Sequence, residues 1–130
     1  MHDFCSDVPG LCAPPEPYSY SVRAGNTIYL AGQVALDEAG SVVGTTLGEQ
    51  AVQVWHNIAR VLETNGGTLA QIVKVTYYLR DIRDLPSEID VRRGLFAPGR
   101  MPAVTAVQVA ALGLPGLAVE VDVIAVVTNE

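Results

Sequence analysis

Two short runs near the C-terminal end constrain what this chain can become. Met101-Pro102-Ala103-Val104-Thr105-Ala106-Val107-Gln108-Val109 and Ala118-Val119-Glu120-Val121-Asp122-Val123-Ile124-Ala125 are rich in β-branched residues, and the turn signal Gly113-Leu114-Pro115-Gly116 separates them. Both read as strands. Side chains alternate across a strand, so Val104, Ala106 and Gln108 share one face of the first run, and Glu120 and Asp122 share one face of the second. The expected picture is an acid beside an apolar wall. A buried carboxylate without a partner is costly or takes up a proton, so Glu120 needs an explanation.

The remaining elements follow in chain order. Residues 1–16 carry Pro9, Pro14 and Pro15 with little periodicity and read as an extended surface arm, leaving 17–130 as a single domain. Residues 18–22 and 27–31 flank a turn at Gly25-Asn26 and form a hairpin, and residues 41–43 suggest a short edge strand. Thr46 and Glu49 form a capping box, after which Ala51, Val54, Trp55, Ile58, Ala59 and Leu62 recur at helical spacing until Asn65-Gly66-Gly67. His56 falls on the polar face and Trp55 on the core face. Residues 72–79 read as a central strand, and Asp84 as the N-cap of a second helix presenting Ile89, Val91, Leu95 and Phe96 inward, with Arg92 and Arg93 toward solvent. The order, β-β-(β)-α-β-α-β-β, is that of an α+β sandwich with two helices on one side of a sheet.

Several function classes are disfavoured. A chain of 130 residues, 49% hydrophobic and 17% charged, fits one core. The formal net charge of −6, with no basic cluster larger than Arg92-Arg93, opposes a nucleic-acid partner. The uncharged run 101–119 is interrupted by Gln108, Gly113, Pro115 and Gly116, which argues against a membrane span. The start Met1-His2-Asp3-Phe4 has neither a basic segment nor an apolar run, so a cytoplasmic protein is expected. Cys5 and Cys12 with His2 match no zinc spacing; they are read as reduced structural thiols, ahead of a local disulfide or a metal site. No nucleotide loop or Ser-His-Asp spacing is present. What is left is Glu120, either a general acid or base with a raised pKa or a carboxylate satisfied by its neighbours.

Four stretches then acquire a common meaning: Pro17-Tyr18-Ser19; Ala24-Gly25-Asn26 leading to Ala31-Gly32-Gln33; Val73-Lys74-Val75-Thr76 leading to Leu79-Arg80-Asp81; and Pro102-Ala103 leading to Val119-Glu120-Val121. Their order and spacing resemble the RidA (YjgF) superfamily of small enamine/imine deaminases. The resemblance implies a chorismate-mutase-like sandwich, a six-stranded mixed sheet with two helices on one face, and a homotrimer with clefts between subunits. It implies a small-molecule metabolite as partner and no cofactor or metal. Carried over by position, Glu120 positions the attacking water, Tyr18 contacts the ligand, and Gly32 and Gln33 supply backbone donors.

The departures from that pattern are as informative. The cleft arginine that follows the Pro-Ala pair and clamps a substrate carboxylate is Val104 here, a position often held by cysteine is Ala106, an asparagine of the second helix is Ile89, and a tyrosine soon after it is Arg92. Loss of a desolvated charge-assisted pairing removes orders of magnitude in kcat/KM toward 2-imino acids. The first expectation is therefore hydrolysis of an imine, enamine or related metabolite without that carboxylate. A non-catalytic trimer that binds a metabolite or a partner protein is the second reading. A 2-imino-acid deaminase in which Arg100 or Arg92 replaces the missing arginine is the third. A ribonuclease role, sometimes attached to the family, is opposed by a charge that a trimer triples.

Overall fold

The computed structural model describes residues 2–128; Met1, Asn129 and Glu130, and with them the outer limits of the expected arm and domain, lie outside the described residues. Eight principal elements follow in order: β1 (His2–Cys5), β2 (Ser21–Ala24), β3 (Thr27–Leu30), α1 (Leu47–Thr64), β4 (Ile72–Leu79), α2 (Leu85–Leu95), β5 (Ala103–Gln108) and β6 (Val119–Val126). The strands form one six-stranded sheet in the order β1-β2-β3-β6-β4-β5. Only β4 and β5 run parallel, with α2 in the crossover between them; the other pairings are antiparallel. This is the α+β sandwich that the element order predicts, with the six-stranded mixed sheet that the resemblance implies.

Both helices cover the same face. Strand β6 alternates strictly, burying Val119, Val121, Val123 and Ala125 on the helix side and leaving Glu120, Asp122 and Ile124 on the other. That apolar row is buried in one core with Val54, Ile58, Val61 and Leu62 of α1, which removes apolar surface from water and favours folding. The capping box is formed: the Thr46 hydroxyl accepts from the Glu49 N–H at 3.2 Å while the Glu49 carboxylate accepts from the Thr46 N–H at 3.1 Å. At the other end of α1, Gly66 takes a φ of +77°, the left-handed stop that its glycine allows. Trp55 is buried and His56 exposed, each on its expected face. No described helix is long and apolar enough to cross a membrane.

Four expectations are corrected. The sixth strand is not residues 41–43, which contribute a single bridge between Leu36 and Val42. It is β1, the start of the supposed arm, which pairs with β2 from His2↔Ala24 to Cys5↔Ser21. Backbone pairing along an open edge requires no particular side chain, so composition hides it. Farther along the arm Val8 is buried, so this segment is docked rather than free. The second helix begins after a short turn at Ile82–Asp84 whose cap is Asp81, accepting from the Arg83 N–H at 2.9 Å; Asp84 makes no side-chain cap bond. Arg92 is not toward solvent. It pairs with Glu88, itself only 2% exposed, and its guanidinium lies 5.5 Å from the centre of the Tyr77 ring. Opposite charges one helical turn apart neutralise each other, which allows both to enter the sheet–helix interface.

Candidate functional site

Glu120 stands on β6 on the face away from the helices, opposite Tyr78 of β4. The picture of an acid beside the Val104–Ala106 wall is overturned within one chain. Strand β4 lies between β5 and β6, and Val104 pairs with Val75 and Ala106 with Tyr77, residues that point toward the helices. Val104 and Ala106 pack against the edge of the core while Glu120 occupies the opposite face. Alternation placed each side chain on the proper face of its own strand; which strands are neighbours was not in that pattern.

A cleft of about 350 Å³ opens over Glu120. Its floor is Ala31-Gly32 and the carboxylate itself, one wall is Val34 and Leu36, another is Gly113, Leu114 and Leu117, and Pro15, Glu16 and Tyr18 close the third side. The backbone explains the floor. Tyr29 still pairs with Ile124, but the next contact of this segment is the bridge between Gln33 and Val121, so residues 31 and 32 cross beside Glu120 outside the regular ladder. A Cβ on Gly32 would lie 2.6 Å from Glu120 Oε2, closer than real contacts allow. A larger residue here would push the Glu120 side chain aside, so glycine leaves the carboxylate its place.

Two buried amides of α1 hold the walls. Gln50 donates to Gly116 O at 2.7 Å and Gly44 O at 3.2 Å, and its carbonyl accepts from the Ala118 N–H at 2.7 Å. Asn57 donates to Leu36 O at 2.9 Å and Val34 O at 3.3 Å. The sequence reading missed both. The available signal was a polar residue inside an apolar stripe, with Gln50 one turn before Val54 and Asn57 beside Ile58.

Among the described residues no donor hydrogen-bonds the Glu120 carboxylate. Burial, followed by the nearby Asp122 charge, raises its pKa above the ordinary glutamate value. Asp122 is engaged otherwise, accepting from the Tyr78 hydroxyl at 3.1 Å. The Tyr18 phenol is also raised, first by burial and then by the charges of Cys12, Glu16 and Glu120. Its ring meets Tyr20 edge-on, with centroids 6.1 Å apart. No backbone acceptor among the described residues takes the Gly32 N–H, whereas the Gln33 N–H is spent on Val121 O at 2.7 Å. Of the two expected backbone donors only Gly32 is therefore free to meet a ligand.

Of the residues singled out from sequence, the fold brings Tyr18, Gly32 and Glu120 into this cleft, with Gln33 just behind it. It does not bring Val104, Ala106, Ile89, Arg92 or Arg100 there. Ile89 is half-buried on α2, Arg92 is held by Glu88 through Nε at 2.9 Å and Nη2 at 2.5 Å, and Arg100 is exposed on the turn where its N–H meets Ala97 O. Among the cleft residues overlooked in the sequence, Glu16 is the one that carries a charge. Cys5 and Cys12 are free thiols, and the described residues contain no cluster of three His, Cys, Asp or Glu side chains placed to hold a metal.

Comparison with known proteins gives the chain its family. A 2-iminobutanoate/2-iminopropanoate deaminase of Bos taurus is 40% identical over 111 residues, 85% of this chain and 80% of its own. A RutC family protein of Pyrococcus abyssi is 39% identical over 100 residues, 76% of this chain and 78% of its own. The crystal structure of YyfA, a Rid family protein of unknown function from Yersinia pestis, superposes with a TM-score of 0.90 at 29% identity, covering 98% of this chain and all of that one. The family model described as endoribonuclease L-PSP matches residues 11–127, and the chain belongs to that family, the RidA/YjgF proteins.

Proposed function

We propose that this protein hydrolyses a C=N bond in a small metabolite that carries no carboxylate beside the reacting carbon. The observation that supports it most is Glu120: a half-buried carboxylate, raised in pKa and without a hydrogen-bond donor among the described residues, facing a cleft of ligand size beside the backbone of Gly32. Glu120 takes a proton from a water as its oxygen attacks the carbon, and the C=N π electrons move to nitrogen. In the tetrahedral adduct the proton passes from Glu120 to nitrogen; the adduct's hydroxyl proton then passes through Glu120 to the same nitrogen as the C–N bond breaks and the C=O bond forms, so that a neutral amine leaves and Glu120 ends as the carboxylate. A raised pKa suits a group that must hold that proton between the two steps. Tyr18 and the Gly32 N–H orient the ligand.

The carboxylate-free substrate rests on what stands where a clamp is needed. Val104 is apolar, Arg92 is committed to Glu88, and Arg100 lies outside the cleft. The full site is a trimer cleft in which a second copy brings its β5 edge, with Val104 and Ala106, over Glu120. The deaminase name of the bovine relative supports the reaction class. The ribonuclease wording of the family description finds less support, since a cleft lined by two carboxylates repels phosphate.

The test compares a carboxylate-free imine with a 2-imino acid, each freshly generated, on wild type, Glu120→Gln and Val104→Arg. Wild type should favour the carboxylate-free imine, Glu120→Gln should lose about 100-fold or more, and Val104→Arg should gain on the 2-imino acid. Undiminished turnover by Glu120→Gln removes the mechanism and leaves a binding protein.

A further inference from the structure

We propose that Asp122 and Tyr78 are positioning residues of the Glu120 site: Asp122 engages the phenol that stands across the strand pair from Glu120, and thereby keeps Glu120 fit to take a proton from water. The inference deepens the hydrolase reading and rests on it for its effect on turnover; the proton equilibrium of Glu120 is read without any substrate.

The register of β4 against β6 carries the argument. Tyr78 stands directly opposite Glu120, and Thr76 opposite Asp122, so all four side chains share the face away from the helices. On such a pair the Cβ atoms of opposite residues are about 5 Å apart and those of diagonal ones about 7–8 Å, and an aromatic side chain spans either distance. The Tyr78 hydroxyl therefore has two carboxylates within range. It donates to Asp122 Oδ2 at 3.1 Å, and among the described residues it makes no bond to Glu120. Burial, then the Asp122 charge and hydrogen bond, and then the Glu120 charge hold this phenol above the ordinary tyrosine value. It stays a donor at neutral pH. A hydrogen bond from it to Glu120 would favour the ionised carboxylate and make that carboxylate a poorer acceptor for a proton of water. Asp122 removes this donor and adds a like charge two residues along the strand, and both effects favour the protonated state that Glu120 must occupy between the two steps. The remaining groups around Glu120 leave this balance to the pair. Tyr18 and Glu16 face it from the segment before β2, Gly32 and the Gly113–Leu117 wall bring no titratable side chain, and Val107 of β5 stands beside Tyr78. Lys74 lies on the same face farther along β4, opposite Ile124, and donates to the Thr105 hydroxyl at 2.8 Å. Among the described residues neither Glu120 nor Asp122 has an ion-pair partner.

The test follows the titration of the Glu120 carboxyl by carbon-13 NMR in the full-length protein labelled at glutamate, the signal being assigned by its loss in Glu120→Gln. Asp122→Ala removes the charge and releases the phenol to Glu120, so the midpoint should fall. The double variant Asp122→Ala, Tyr78→Phe removes charge and phenol together, and its midpoint should fall less. Tyr78→Phe alone keeps the charge and should not lower the midpoint. Asp122→Asn keeps the shape and an acceptor for Tyr78 while removing the charge; it should match the double variant, and it reads the charge effect even where the alanine variant does not fold. In turnover the acid limb of kcat/KM should move to lower pH in Asp122→Ala, so that one pH unit below the wild-type midpoint the variant keeps about twofold or more of the wild-type fraction of plateau activity. A midpoint unmoved or raised in Asp122→Ala and Asp122→Asn, or one that is equal in Asp122→Ala and the double variant, overturns the inference. The two proposals fail separately. Midpoints that move as expected while Glu120→Gln is fully active keep the role of Asp122 and Tyr78 in the titration and remove the hydrolase; unmoved midpoints with Glu120→Gln inactive do the reverse.

Discussion

Glu120 is held in a place that costs stability whenever it is ionised. Its pKa is raised in the folded state by burial and by Asp122, so the fold binds the proton more tightly than the unfolded chain does. The penalty is absent below the unfolded glutamate value of about 4.3 and grows as the pH rises through the higher folded value. Glu120→Gln should therefore melt roughly 1–3 °C above wild type at pH 7, and the gain should vanish near pH 3.5. Calorimetric melting at both values checks this, and an equal difference at the two would show that ionisation carries no cost. A residue whose removal stabilises the protein while abolishing turnover is retained for chemistry. The same reasoning explains Gly32: a methyl there would meet Glu120 Oε2 at 2.6 Å and displace the carboxylate.

At the scale of elements, α1 is both the core's main contributor and the clamp of the cleft. Gln50 is fully buried and serves three backbone groups, at Gly44, Gly116 and Ala118. Gln50→Leu keeps the volume but strands an N–H and carbonyls, a cost of about 2–4 kcal/mol. Thermal melting should fall by about 8–15 °C, and ligand affinity should fall with it because Leu117 and the Gly113-Leu114 wall lose their anchor. A melting temperature within 2 °C of wild type, on the order of 0.5 kcal/mol, would remove Gln50 from this role. Helix α1 was legible in the sequence because a capping box, a 3.6-residue apolar stripe and a glycine stop agree. Helix α2 was legible as a helix, and Val91, Leu95 and Phe96 meet the core as expected; what was not legible is that Glu88 and Arg92 enter the same interface. Hydropathy counts Glu88 and Arg92 as solvent-facing, whereas as a pair stacked on Tyr77 they are compatible with burial. Strand β1 was hidden because His2–Cys5 is a four-residue edge strand that pairs through its backbone and shows no buried alternation.

At the scale of the whole molecule, the missing information was strand adjacency. Residues 101–109 and 118–125 follow one another in sequence, yet β4 separates the strands they form, so the acid and the apolar wall that look adjacent on paper face opposite ways. Tyr18, Gly32 and Glu120 were legible because the resemblance spans the chain; Glu16 was not, because its segment read as a passive arm. The opposition of faces has a structural consequence. One copy cannot put its own Val104 over its own Glu120, so if both serve one site they come from different copies. The face of the sheet away from the helices carries exposed apolar side chains suited to an interface: Tyr29 is 48% exposed and Val107 41%. Light scattering should give three times the chain mass of 13.8 kDa. Val107→Lys places a charge on that face, opposite Tyr78 in the register and away from the core. It should shift the mass toward that of one chain, leave the circular dichroism of the fold unchanged, and reduce turnover in parallel with trimer content. A monomeric Val107→Lys protein with full turnover would mean that the cleft works within a single chain, in which case Val104 has no part in the site and its replacement of an arginine no longer bears on the substrate.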